Sequence, residues 1–384
     1  MRKPATLIVA VLVVAPLRFA SFATAQTPSP AHAIALEQQQ KWTEAAIVWK
    51  AVTERDPTDA GAFAAMGVDL AREQKYSEAA SAYREALKLD PKLHGIQLNL
   101  GLAEFKQGHD SAAIVALRAA LAADPASAQA RTLLGMSYYG TRKFDLASEY
   151  LEPAAKADPA NAELHQMLAQ SCLWAKKLDC AQEEFRLLLQ QSPDSAPTHV
   201  LMGEALDGLG KTPEAIAEFE AAAKINPNEP NVHFGLGYLH WKSQQYDEAK
   251  PEFERELALD PNHAQALAYL GDVDWKSNQP DAARPLLQRA IKADKNLRIA
   301  YADLGAIYLQ KRNYKDAEAA LTQAVRIDSA QPDAHYQLGR LYQATGRKSE
   351  AEKELQKVRE LHQKADENLV GKMPEAPANP PNQN

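Results

Sequence analysis

Alanine recurs at positions 45, 79, 113, 147, 181, 215, 249, 283, 317 and 351, an interval of 34 residues kept without one insertion. A second column keeps the same interval with Gly67, Gly101, Gly135, Ala169, Gly203, Gly237, Gly271, Gly305 and Gly339, each preceded by Leu or Met. A third column pairs an acid or a small polar residue with proline: Asp56-Pro57, Asp90-Pro91, Asp124-Pro125, Asp158-Pro159, Ser192-Pro193, Asn226-Pro227 and Asp260-Pro261, continued without proline by Asp294 and Asp328. Whole stretches return as well, WKSQQYDEA at Trp241–Ala249 becoming WKSNQPDAA at Trp275–Ala283. Such a period builds a core along one axis by stacking like units, so 384 residues do not here require two or three globular domains.

Between these marks the apolar residues fall at helical spacing, for instance Val232, Leu236 and Leu239, then Ala249, Phe253 and Leu257 after a turn. Each unit therefore reads as a helical hairpin, and the fold class as all-α. Proline steers the residue before it out of the α region and its fixed φ suits the start of the next helix, so it closes each unit. The Gly and Ala columns mark close helix approach, where a Leu in place of Ala249 would overpack at roughly 1–3 kcal/mol.

Leu-Gly in the first helix, Ala followed by an apolar residue four later in the second, and a closing Pro at this period resemble the tetratricopeptide repeat family. The resemblance covers residues 26–365 in units that begin at 26, 60, 94, 128, 162, 196, 230, 264, 298 and 332, leaving the end of the last helix and a Pro-rich tail in 366–384. The early Trp of the family is replaced by Phe63, Gln97, Arg131 or His165. The resemblance implies a right-handed superhelical solenoid whose first helices line a concave groove that binds other proteins. It also argues against one family use, the two-carboxylate clamp on chaperone tails, because Ala64, Val68, Leu98, Leu102, Thr132 and Met136 stand where Lys and Asn are needed.

Residues 1–25 read as a secretory signal peptide: Arg2 and Lys3 lead, a 13-residue apolar run spans Ala5 to Leu17, and Ala23-Thr24-Ala25 offers a cleavage site. The run is short of the roughly 20 residues that cross a bilayer, so no stable membrane anchor is expected, and export to a periplasmic or extracellular space is. Removing Arg2, Lys3 and Arg18 leaves 40 basic against 50 acidic residues. A chain so acidic, without basic blocks interleaved with aromatics, is not expected to bind nucleic acid. The repeats also leave too little chain for a catalytic domain, and GLG at Gly235–Gly237 lies inside a helix, so neither enzyme activity nor a cofactor is expected. The tail from Gly371 is expected to be unfolded, and the oligomeric state stays open.

A second apolar stripe, offset by about 200° from the packing stripe, gives the candidate binding residues. It runs through Leu98, Leu102 and Phe105, then Met136 and Tyr139, then Trp174, then Phe234, Tyr238 and Trp241, then Trp275, with Lys242 and Lys276 following two of the tryptophans. Glu204 and Asp207 hold the equivalent face of the unit between. The stripe either packs on the neighbouring unit or lines a groove for a protein or peptide, where aromatics serve as anchors. Tryptophan faces could alternatively stack on sugars, which makes a glycan-binding adaptor the second reading.

Four further features call for an account. His165, His199, His233 and His335 share a column, but stacking steps of roughly 8–10 Å are too wide for one metal ion, so surface or inter-repeat hydrogen bonds are expected and metal is not. His240 and Asp274 interrupt adjacent core positions and could pair across the repeat boundary, and Glu104 is a similar interruption. Cys172 and Cys180 should lie across one hairpin turn, as a disulfide or as two buried thiols. Pro153 and Ala169 predict an irregular junction at the unit beginning at 162.

Overall fold

The computed structural model describes residues 27–93 and 95–370, so the stretch read as a signal peptide and the tail from Gly371 lie outside the described residues. Twenty α-helices and no strand occur among them. The chain divides into two compact units, one ending at Thr141 and the other beginning at Arg142. In the first, α1 (Pro30–Gln38) pairs with α2 (Trp42–Arg55), α3 (Ala60–Arg72) with α4 (Tyr76–Leu89), and α5 (Ile96–Lys106) with α6 (Asp110–Ala123), followed by α7 (Ala128–Gly140). The second begins with α8 (Phe144–Ala157) and continues with the hairpins α9 (Ala162–Trp174)–α10 (Leu178–Gln191), α11 (Ala196–Gly208)–α12 (Thr212–Ile225) and α13 (Val232–Lys242)–α14 (Tyr246–Leu259). The hairpins α15 (Ala264–Lys276)–α16 (Pro280–Ala293), α17 (Arg298–Gln310)–α18 (Tyr314–Ile327) and α19 (Pro332–Ala344)–α20 (Lys348–Val370) complete it.

First helices touch one another, α3 with α5 and α5 with α7 in the first unit, α11 with α13 and onward through α19 in the second. Second helices make no comparable contact with each other among the described residues. Each unit thus has a layer of adjoining first helices, and the candidate stripe lies in that layer.

The alanine column is the floor of every hairpin: Ala45, Ala79, Ala113, Ala249, Ala283 and Ala317 are fully buried. The glycine column has a more particular cause than backbone contact. A Cβ on Gly67 would sit 2.5 Å from the Tyr83 ring, and one on Gly237 would sit 2.7 Å from the Phe253 ring. In each case the clashing side chain belongs to the residue sixteen positions later, so the glycine is the socket for a large residue of its own second helix. Ala169 shows that the socket can tolerate one carbon, and it is fully buried.

The polar half of the Asp-Pro column builds the turn between units. Asp56, Asp90, Asp124, Asn226, Asp260, Asp294 and Asp328 each accept, through Oδ1, a hydrogen bond from the backbone N–H two residues on. Asp294 and Asp328 keep the bond without a following proline, so the side chain, not the ring, is the constant element. Asp59, Ser127, Asn161 and His263 then cap the next first helix by accepting from a backbone N–H three residues on. Inside the hairpins a left-handed residue recurs at Gln40, Gln74, Gly108, Arg142, Lys176, Gly210, Gln244, Asn278, Arg312 and Gly346, again every 34 residues.

Helix length does not single out the junction at residue 162. α8 runs as 14 residues straight through Pro153, like the other second helices up to α18, and α9 has the usual 13. Beyond α1, which has nine residues, the shortened first helices are α5 and α13, with 11 residues each, and both begin after a left-handed residue, Gly95 and Asn231. Cys172 and Cys180 are joined as a disulfide across the α9–α10 turn, with Cα atoms 5.8 Å apart.

Candidate functional site

The aromatic stripe of α13 stands beside the start of α15. Phe234 and Tyr238, one helical turn apart, stack with centroids 6.2 Å apart, and Tyr238 stacks on Trp241 at 5.9 Å. Tyr269, from the next first helix, joins all three: its ring lies 6.1 Å from Phe234, 5.4 Å from Tyr238 and 4.7 Å from Trp241. Tyr269 was not singled out in the sequence because its column is occupied by unlike residues, Leu201, Gly235, Asp303 and Gln337. Its hydroxyl is pushed up to about 12 by burial, then by Tyr238 and Asp272.

Below this cluster the charges are committed within the chain. The Trp241 Nε1–H donates to Asp272 Oδ2, and Lys276 Nζ pairs with the same oxygen at 2.9 Å while lying 4.8 Å from the Trp241 ring centroid. Lys242 reaches back one unit to Asp207 Oδ1 at 2.7 Å. Trp241, Lys242 and Lys276, candidate recognition residues, therefore have intramolecular partners, on α15, on α11 and within α15 respectively. Beside Asp272, Asp303 is held well above the usual carboxylate range by burial and by the Asp272 charge, partly offset by Lys276.

The predicted site residues fall into separate groups. Leu98, Leu102 and Phe105 are half-buried on α5, and Met136 and Tyr139 half-buried on α7, all in the first unit. Leu98 borders a cavity of about 560 Å³ whose lining runs from Pro91 to Ser127. In the second unit Trp174 is 45% exposed, its ring 4.6 Å from that of Phe144. Phe234, Tyr238 and Trp241 form the cluster, while Trp275 is half-buried and packs on the Leu267–Leu304–Ile307 core between α15 and α17. A cavity of about 350 Å³ opens between α11 and α13, with Glu204 and Asp207 on one wall and Phe234 and Tyr238 on the other.

The histidine column has a structural occupation that the sequence reading missed. His165, His199, His233 and His335 each place Nδ1 within 2.5–2.7 Å of a glutamate nineteen residues later, Glu184, Glu218, Glu252 and Glu354. Nε2 of His199, His233 and His335 faces a backbone carbonyl six residues earlier, at Pro193, Pro227 and Ser329. The bonds clasp one hairpin to the loop before it, not one unit to the next, and three of the imidazoles are buried. His240 does not meet Asp274: its Nδ1 bonds Gln245, whereas Asp274 takes Lys250 at 2.7 Å. Glu104 is satisfied by Arg84 and by His109.

Profiles of the tetratricopeptide repeat match residues 132–196, 234–297, 270–332 and 308–370, and a TPR repeat profile matches 67–108 and 203–244. A search of curated proteins found no match. Among solved structures, the Cut9–Hcn1 hetero-tetramer of APC/C is similar over 86% of this chain and 79% of its own, at 15% identity and a TM-score of 0.51. YrrB, described as a TPR protein with an unusual peptide-binding site, aligns over 50% of this chain and 99% of its own at 23% identity and a TM-score of 0.40. The C-terminal part of a TPR repeat-containing protein from Cytophaga hutchinsonii aligns over 62% and 98% at 19% identity and a TM-score of 0.43.

Proposed function

This chain belongs to the tetratricopeptide repeat family, and from that premise we propose that it is an exported interaction scaffold holding a partner protein along its first-helix layer, in envelope assembly or secretion. The observation that carries the reading is the face of α11, α13 and α15: a 350 Å³ cavity flanked by half-buried aromatic rings that packing alone leaves partly open. Half-buried aromatic groups beside a cavity offer a partner large contact area at small entropic cost. The action is binding without turnover.

Export rests on the charged, apolar and small-residue order of the first 25 residues, and the Cys172–Cys180 bond is in keeping with an oxidising compartment. The alternative of a glycan adaptor draws no support from Trp241, whose N–H is taken by Asp272 and whose ring lies beside Lys276. A photo-crosslinking residue at Gln265, exposed at the rim of the cavity, tests the reading against the same group at Glu248, exposed on α14. Protein adducts from position 265 and not from 248 are expected in native cells; equal adducts from both, or none from 265, overturn it.

A further inference from the structure

The partner's chemistry can be narrowed from the cavity between α11 and α13. Its walls have opposite characters. Glu204 and Asp207, one turn apart on α11, bring two carboxylates; Phe234 and Tyr238 on α13 bring two rings inclined by only 26°; Asn231 and Gln265 add amides at the margins. Asp207 is already matched by Lys242. Glu204 is not: among the described residues no hydrogen bond or ion pair reaches it, and its side chain remains open to solvent. Burial nevertheless raises its pKa, with Lys176 acting on it from a distance in the other direction. The carboxylate is thus reachable from the cavity and has no counter-charge bonded to it.

The floor of the cavity follows from the sequence. In the column of Leu201 and Tyr269 the intervening unit has Gly235, and the side chain it lacks makes room for Phe219. Phe219 rises beneath it, so close that a Cβ on Gly235 would lie 2.2 Å from the ring. The floor is apolar, one wall anionic and one wall aromatic.

We propose that this cavity receives an arginine side chain of an extended partner peptide, its guanidinium bound by Glu204 and stacked on the Phe234–Tyr238 rings. A guanidinium is planar, gives paired N–H donors to a carboxylate and has a weakly hydrated face suited to an aromatic ring. An acidic side chain would meet Glu204 and Asp207, and an aliphatic one would leave Glu204 covered without a partner.

The inference rests on the peptide-binding reading above, and its test separates the two. Nonapeptides selected from a random display library on the full chain should carry arginine at one fixed position. Glu204→Gln, with helicity checked by circular dichroism, should weaken the best peptide by about tenfold or more, as loss of a charge-assisted bond implies. Replacing the peptide's arginine by neutral citrulline should cost wild type the same factor and Glu204→Gln little. Peptides without a fixed basic residue, or an affinity within about twofold in Glu204→Gln, overturn the arginine site and leave the scaffold reading standing. Selection of no peptide at all overturns both.

Discussion

At the scale of single residues, the fold is held by positions whose constraint is geometric before it is chemical. Gly237 must lack a side chain because Phe253, fully buried, occupies the space a Cβ would enter. Gly237→Ala should therefore lower stability by about 1–3 kcal/mol, the range for overpacking, as read by urea unfolding. An unchanged midpoint would mean that the ring moves aside freely. Gln244 has the opposite constraint. Its φ of 60° is left-handed, a region that costs a residue with a Cβ roughly 1–2 kcal/mol and a β-branched one more. Gln244→Gly should leave stability equal or raise it by up to about 1 kcal/mol, whereas Gln244→Val should lower it. Gly108, Gly210 and Gly346 show glycine already in use at this position.

At the scale of the element, one hairpin is an apolar seam plus a few fixed polar clasps. His233 joins α13 to α14 through Glu252 and to the preceding loop through the Pro227 carbonyl. Replacing it with Leu keeps the volume but leaves the half-buried Glu252 with only Arg255, a loss of about 1 kcal/mol for one hydrogen bond removed. The matching change Glu252→Leu in the same background should cost much less than it does alone; additive losses in this double-mutant cycle would show that the clasp contributes nothing. The hairpins were legible in the sequence because the Ala, Gly and Asp columns each answer a local steric or turn requirement that returns at the same place in nearly every unit. The clasp was not read, because its two ends lie nineteen residues apart on different helices, and only the pairing of the histidine column with Glu184, Glu218, Glu252 and Glu354 at the same period would have marked it. For the same reason the stripe was found and its use was not. Phe234, Tyr238 and Trp241 announce themselves by helical spacing, but Tyr269 and Asp272, which occupy them from the next helix, belong to columns with no common residue type.

At the scale of the whole molecule, stability is close to a sum of hairpins and of the contacts between neighbours, so a buried titratable group acts on its own part of the stack. Asp69 is such a group in the first unit: it is 1% exposed, and its Oδ2 has no hydrogen-bond partner. Its pKa rises from 3.8 to about 7, by burial first and then by Glu37 on α1, with Arg72 pulling the other way and Glu73 adding slightly. Between these two values the folded state retains a proton that the unfolded chain has released. Folding then binds protons, and stability must fall as pH rises from about 4 to about 7, levelling above. Asp56 acts oppositely at the acid end, since its bonds from Thr58 hold its pKa below the ordinary value and the stability they give is lost as pH drops through it. In Asp69→Asn the decline from pH 4 to 7 should shrink, so that the variant gains on wild type most above pH 7. Denaturant unfolding followed by circular dichroism at pH 4.5, 6 and 8 measures this; a wild-type-to-variant difference that stays constant across the three would show that the Asp69 carboxyl ionises normally in the folded chain.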